Sequence, residues 1–269
     1  MGHKFLETEK RDKTRIIWFN APPANGLNLE LVKELAQVVA DFKKEKEQIR
    51  CLILASRIEG VFVAGADIKM IKGYMDGPNM LEDMVHFTKR LQKTINEVED
   101  LPFPVIAAIN GHAIGGGMEL ALACDFRFMA KGKARVGLPE LSLGLLPGAG
   151  GTQRLPRLIG RGRAKDMIYN KKLLDAGDAL ASGVIDRVYD PDSLMDHCLN
   201  YAEKFKNQAG EAISIVKDCI NKGLDLPLES GLELEIKGLE TLLNTVDARE
   251  GVGAFLEKRK PVFKGGFLR

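Results

Sequence analysis

Within Leu101–Gly151 a strand hands over to a helix through consecutive glycines, and the rest of the chain reads as scaffolding for that corner. Val105–Ile109 is a short apolar run of β type, Asn110-Gly111 is a turn signal, and Gly115-Gly116-Gly117 opens a helical pattern over Met118–Cys124. Three glycines at a helix start cost backbone entropy, so they suit a place where something must approach the amides closely. The first N–H groups of a helix have no internal partner and carry the positive end of its dipole. Such a terminus can hold an anion, or an oxygen that becomes one. Glu119 falls in the first turn, and Glu140 lies in a separate loop, Gly137-Leu138-Pro139-Glu140. Two carboxylates near one amide corner suit acid/base chemistry. A glutamate in a first turn also complements the dipole, and one in a loop also simply faces solvent, so residue types alone leave both readings open.

The opening of the chain reads as a hairpin, with strands at Phe5–Glu9 and Thr14–Phe19 joined by a charged turn at Arg11-Asp12-Lys13. Residues 20–28 are rich in turn formers, and Asn28 is placed to cap an amphipathic helix over Leu29–Lys46 with Leu31, Leu35, Val38, Val39 and Phe42 on one face. Short buried strands are expected at Cys51–Ala55 and Val61–Val63. The second turns through Ala64-Gly65-Ala66-Asp67-Ile68-Lys69 into another helix start capped by Asp67, so a second corner presents amides. Asn79–Asp100 is a long amphipathic helix. Nearby Met70, Met75, Met80 and Met84 either fill core or line an adaptable apolar pocket. Further on, Thr152–Asn170 is predicted as an Arg-rich helix, Asp175–Ala181 as another, and Val184–Val188 as a last strand. From Asp192 the pattern is almost purely helical, through Ile213–Ile220, Leu228–Leu243 and Ala248–Lys260. This divides the chain into a mixed core, residues 1–190, and a helical region, residues 191–269, whose apolar surface suits contacts between subunits.

With 269 residues and 45% hydrophobic content the chain can bury a large core. Its 39 basic and 37 acidic residues leave a net charge of +2, which offers no global attraction for nucleic acid or an anionic membrane. The most basic run, Arg154, Arg157, Arg161, Arg163 and Lys165, has no interleaved aromatics and reads more readily as a solvated or interface helix face than as an RNA surface. Cys51, Cys124, Cys198 and Cys219 stand far apart without ligand spacing and the histidines do not cluster, so neither disulfides nor a metal site is expected. His112, beside the glycine corner, reads as a hydrogen-bonded structural histidine. The charged N-terminus lacks a signal-peptide pattern and no apolar stretch reaches membrane-spanning length, which leads to the expectation of a cytoplasmic protein. The patterns GxxxxGK[ST], GxGxxG, HExxH and GxSxG are absent, which removes P-loop, Rossmann, zinc-protease and nucleophile-elbow chemistry.

Several segments, in order and over nearly the whole chain, resemble the enoyl-CoA hydratase/isomerase (crotonase) superfamily and in particular its hydratases. They are Ala64–Lys69, Pro104–Gly111, Gly115–Ala121 with Cys124-Asp125, Leu138–Glu140, Pro147–Arg154 and Phe255–Lys260. The resemblance implies an α/β fold, a crotonase-like spiral of ββα units with a helical C-terminal trimerisation region, assembled as a homotrimer or as a homohexamer, a dimer of trimers. It implies the amides of Ala66 and Gly116 as an oxyanion hole for a thioester carbonyl, Glu119 and Glu140 as the catalytic pair, and Gly148 as an amide donor to the reacting water. Ala24 and Leu27, with Ala64, Gly65, Asp67 and Ile68, would lie along CoA, and Lys258 would reach CoA across a subunit boundary. No cofactor or metal is implied, because the CoA thioester is the substrate; the implied partners are acyl-CoA and further copies of the chain, with no nucleic acid and no membrane. Met118 stands where a smaller residue is expected, and the Lys131-Gly132-Lys133 turn is one residue longer than usual; both bear on pocket detail.

The implied activity is that of an enoyl-CoA hydratase, a lyase that adds water reversibly and syn across the 2,3 double bond of a 2-enoyl-CoA to give 3-hydroxyacyl-CoA, in fatty-acid beta-oxidation or related acyl-CoA catabolism. The alternatives are an enoyl-CoA isomerase or a thioester hydrolase using the same oxyanion hole, and a non-catalytic RNA-binding homologue using the residue 154–165 face. Two glutamates favour hydration, since isomerases usually manage with one. Acyl preference should follow the packing of Ile68, Ile71, Met75, Met84 and Phe87.

Overall fold

The computed structural model describes residues 3–268. Its strands are β1 (Leu6–Arg11), β2 (Thr14–Phe19), β3 (Cys51–Ser56), β4 (Val61–Val63), β5 (Val105–Ile109), β6 (His112–Ile114), β7 (Phe126–Ala130), β8 (Val136–Gly137) and β9 (Arg187–Tyr189). The helices are α1 (Leu29–Lys44), α2 (Ile68–Asp76), α3 (Met80–Glu99), α4 (Gly116–Leu122), α5 (Gly151–Ile159), α6 (Arg161–Tyr169), α7 (Ala176–Ala181), α8 (Leu194–Ala202), α9 (Gly210–Gly223), α10 (Leu228–Leu243) and α11 (Val246–Leu256). Asn28 and Asp67 cap α1 and α2 as expected, their side chains accepting from Leu31 N and from Lys69 N and Met70 N.

β1 and β2 form the antiparallel opening hairpin, with Leu6 opposite Phe19 and Arg11 opposite Thr14. From β2 onward every pairing is parallel. The large sheet has the order β1-β2-β3-β5-β7-β9, and a smaller one the order β4-β6-β8. After α1 the chain therefore feeds the two sheets alternately, one strand to each, before returning through helical structure. The outcome is a spiral of ββα turns.

A parallel sheet has to be covered on both faces, and its central strands then lose polar alternation. Every residue of β3 and β5 is buried, which is why both read as unbroken apolar runs. Successive side chains still point to opposite sides. Leu52, Leu54, Val105, Ala107 and Ile109 pack in the main core with Leu31, Leu35 and Val38 of α1 and Phe87, Leu91 and Ile95 of α3. Cys51, Ile53, Ala55, Ile106, Ala108 and Phe128 pack in a second core that Leu194, Cys198 and Ala202 of α8 close. By packing, α8 thus belongs with the residue 1–190 core. The exposed apolar stripes begin beyond it, at Val216 and Ile220 on α9 and at Leu228, Leu232, Ile236, Leu239 and Leu243 on α10. α9 is anchored by Lys217, whose Nζ donates to Asp125 Oδ2 at 2.8 Å while the same oxygen accepts from Val105 N at 2.7 Å.

Several expectations shift. The strand that enters the glycine corner is β6, not β5: at Asn110-Gly111 the chain leaves the large sheet, and β6 pairs with β4 and β8 in the small one. α4 then starts at Gly116, two residues earlier than the side-chain pattern indicates, because its glycines carry no pattern. The predicted helix over 152–170 breaks at Gly160, whose φ of 83° ends α5 and precedes α6. The last strand is displaced to β9, because Val184 and Ile185 are core residues buried beside α7 rather than part of the ladder. β7 is not among the strands the sequence leads one to expect, and its second residue is an arginine in an otherwise apolar run. Arg127 is nevertheless buried, donating to Cys124 O and Val184 O and pairing with Asp186.

Candidate active site

The two amide corners touch. Leu27 N donates to Gly65 O at 2.8 Å and Asp67 N to Leu27 O at 3.0 Å, a parallel bridge that leaves the intervening Ala66 N–H facing the other way with no backbone acceptor among the described residues. At the second corner Gly115 N donates to Gly137 O and Glu119 N to Gly115 O. Gly116 N, first in α4, likewise has no backbone acceptor among the described residues. A carbon added to Gly116 would stand 3.8 Å from Ala66 N, so the free amides are neighbours. α4 can come this close because of Gly117, where an added carbon would lie 1.9 Å from Val63 O of β4.

Both corners open on a cavity of about 380 Å³. Its lining comes from the two corners (Ala64, Gly65, Ala66, Ile114, Gly115 and Gly116), from α2 and α3 (Ile68, Ile71, Met84, Phe87, Thr88 and Leu91) and from the stretch before α5 (Ser142, Leu143, Leu145, Leu146, Gly148 and Ala149). Glu119 and Glu140 both line it, and no cationic side chain does so among the described residues. Ile68, Ile71, Met84 and Phe87 lie where the acyl reading expects them, whereas Met75 is exposed and outside the cavity.

The carboxylates are tuned differently. Glu119 is buried, and its Oε1 accepts from Ala149 N and Gly151 N, each at 2.7 Å. Burial raises its pKa, while these two amides at the start of α5, and the charge of Arg154, push it back. Glu140 opens the short turn Glu140–Leu143, and its Oε2 is buried without a hydrogen-bond partner among the described residues. Burial, reinforced by the neighbouring Glu119 charge, lifts Glu140 to about 7 against a weaker pull from its own backbone amide. Two acids in differently partnered surroundings, beside two free amides, can move a proton each way next to a developing oxyanion.

Other expected residues sit less directly. Gly148 lines the cavity, but the amides of this loop that bind Glu119 come from Ala149 and Gly151. The run Gly148–Gly151 before a helix start was the sequence signal for them. Ala24, Leu27 and Asp67 do not line the cavity. Leu27 is buried beneath Gly116, Ala24 O accepts from Ala64 N, and Asp67 caps α2. Their loop is held by buried Asn25, which donates to Ser56 Oγ and Phe62 O and accepts from Ala21 N. Lys258 is exposed at the end of α11 and does not line the cavity of its own chain. His112 accepts from Arg135 N at 3.2 Å, a structural role. In the basic run, Arg154 is bound to Glu99 and Arg157 to Asp225, which leaves less free charge for an RNA surface.

The two-sheet spiral with trailing helices is the crotonase fold: an enoyl-CoA hydratase structure from Bacillus anthracis, 39% identical, matches with a TM-score of 0.91 over 98% of this chain and 100% of its own. The chain belongs to the enoyl-CoA hydratase/isomerase family, whose sequence profile matches residues 9–266. The short-chain-enoyl-CoA hydratase of Clostridium acetobutylicum is 38% identical over 94% of each chain. Human mitochondrial methylglutaconyl-CoA hydratase is 38% identical over 97% of this chain and 76% of its own. Enzymes of this family act on acyl-CoA substrates.

Proposed function

We propose that this chain is an enoyl-CoA hydratase, adding water across the 2,3 double bond of a 2-enoyl-CoA to give the 3-hydroxyacyl-CoA. One observation carries the reading: two carboxylates, Glu119 held by two backbone amides and Glu140 with an unpartnered oxygen, line the same cavity as two unpaired amides. A thioester oxygen received by Ala66 N and Gly116 N is polarised toward an enolate, which makes C3 electrophilic and C2 basic. Ionised Glu119 takes a proton from water as its oxygen bonds to C3, and protonated Glu140 gives its proton to C2. Dehydration runs the same steps backwards. Gly148 N–H orients the water. The reaction calls on no cofactor and no metal beyond the CoA thioester itself.

The residue 21–27 loop, with Asp67 and Ile68, lies along CoA, and Lys258 of a neighbouring copy reaches it in a trimer or a dimer of trimers built on the apolar stripes of α9 and α10. The product suits fatty-acid beta-oxidation or related acyl-CoA catabolism. The relatives named as hydratases support this choice over double-bond migration. The test is to follow loss of the conjugated thioester absorbance of crotonyl-CoA with product analysis. Glu119→Gln and Glu140→Gln should each slow hydration on the order of a hundredfold or more. A parental rate in either variant, or a shifted double bond as product, refutes the assignment.

A further inference from the structure

The loop Pro147–Gly151 holds Glu119, and a loop positions a group well only if something rigid positions the loop. Here the support is α3. Gln92 Nε2 donates to Gly148 O at 2.6 Å. Further along the same helix, Asn96 Oδ1 accepts from Arg154 Nη2 at 2.8 Å, and Glu99 takes the guanidinium side-on, accepting Nε at 3.0 Å and Nη2 on its other oxygen. Only 13% of the Arg154 side chain is exposed. Its remaining arm, Nη1, turns back to the Ala149 carbonyl at 3.4 Å. Gly150 makes room for this: its φ is 116°, and a carbon added there would lie 2.1 Å from Arg154 Nη1.

We propose that Arg154 is a positioning residue for Glu119, clamped by Asn96 and Glu99 so that its guanidinium fixes the Ala149–Gly150 peptide unit, which lies between the two units whose amides hold the Glu119 carboxylate. The charged groups around Glu119 are Glu140 from the turn after β8, Arg154 from α5 and Glu99 from α3 behind it. Arg154 is the cation among them, and it favours the ionised Glu119 that a base requires.

The assay of this clamp rests on the hydratase reading, so parental turnover of crotonyl-CoA is its control. Without turnover in the parent the hydratase reading fails. The clamp is then read from the titration of Glu119 itself, by carboxylate infrared difference spectra against Glu119→Gln. With turnover, Arg154→Gln should lower kcat about tenfold or more with little change in KM, and move the acidic limb of the kcat/KM profile to higher pH. Arg154→Lys keeps the charge without the fork, so it should return the limb toward its parental position while recovering only part of kcat. Glu99→Gln removes the countercharge and leaves the cation, so its limb should stay in place or move to lower pH, and this variant keeps the question open to measurement if Arg154→Gln does not fold. An Arg154→Gln protein with parental kcat, or with lowered kcat and an unmoved limb and unmoved Glu119 titration, overturns the proposal.

Discussion

Replacing Glu140 by Gln should make the protein more stable while it loses activity, and the gain should depend on pH. Glu140 is lifted from 4.5 to about 7, chiefly by burial. At about 1.36 kcal/mol per pKa unit, that gap corresponds to about 3 kcal/mol at full strength. The side chain is only half-buried, so solvent screening reduces the expected effect to roughly 1–2 kcal/mol. Since the folded-state value is the higher one, the unfolded chain releases the proton first as pH rises. Stability is then lost between 4.5 and about 7, and above that window the loss is complete. Gln has no proton to lose. The measurement is urea unfolding of parent and variant at matched protein concentration, since subunit association would shift both midpoints. The two curves should coincide near about pH 4.5 and separate in the variant's favour near about pH 8.5. A gain that is equal at both pH values would trace to packing, and no gain at the higher pH would mean that Glu140 carries no buried charge.

Gly117→Ala should destabilise by more than about 4 kcal/mol or prevent folding, because its new carbon would lie 1.9 Å from Val63 O; thermal unfolding with circular dichroism checks this, and a loss under about 1 kcal/mol would refute the close approach. A 2-enoyl-CoA with a carboxylate at the far end of its acyl chain should show kcat/KM at least about tenfold below crotonyl-CoA, because the cavity wall is apolar and its charges are the two glutamates. Comparable values for the two thioesters would show that a cation reaches the acyl end. Ile236→Glu places a charge in the middle of the exposed α10 stripe and should lower the assembly state seen by sedimentation, while a species of unchanged mass would exclude that stripe as an interface.

Strand and helix periodicity made much of the fold legible. The boundaries of α10 and of β2 were read as they stand, and Asn28 and Asp67 announced the caps that the structure displays. What was hidden had physical reasons. β6 is three residues long and β8 two, too short for any alternation to register, so periodicity does not reveal the small sheet, and the spiral was legible only through the family resemblance. Gly160 ends one helix and precedes another through a positive φ, which an amphipathic count passes over. At the site, glycine runs marked both corners because amides that must be approached cannot carry side chains. The local pattern around Glu119 and Glu140 was silent about their partners. Those partners lie 30 and 32 residues away for Glu119, a long-range fact that only the fold supplies.

What distinguishes the two carboxylates is those long-range partners rather than burial. Both acids face the same apolar cavity and both are raised by desolvation, Glu119 being the more buried of the two. Burial alone would therefore make Glu119 the stronger proton holder. Against that, the Glu119 Oε1 receives two amides at the start of α5 with Arg154 close by, all of which favour its ionised form, whereas Glu140 has an orphaned Oε2 and a negative neighbour. Taking those partners away would leave burial unopposed at Glu119, and two protonated acids would then compete for one role. The loop at residues 147–151 is thus as much a part of the proposed chemistry as the acids it separates, even though it contributes no side chain that titrates.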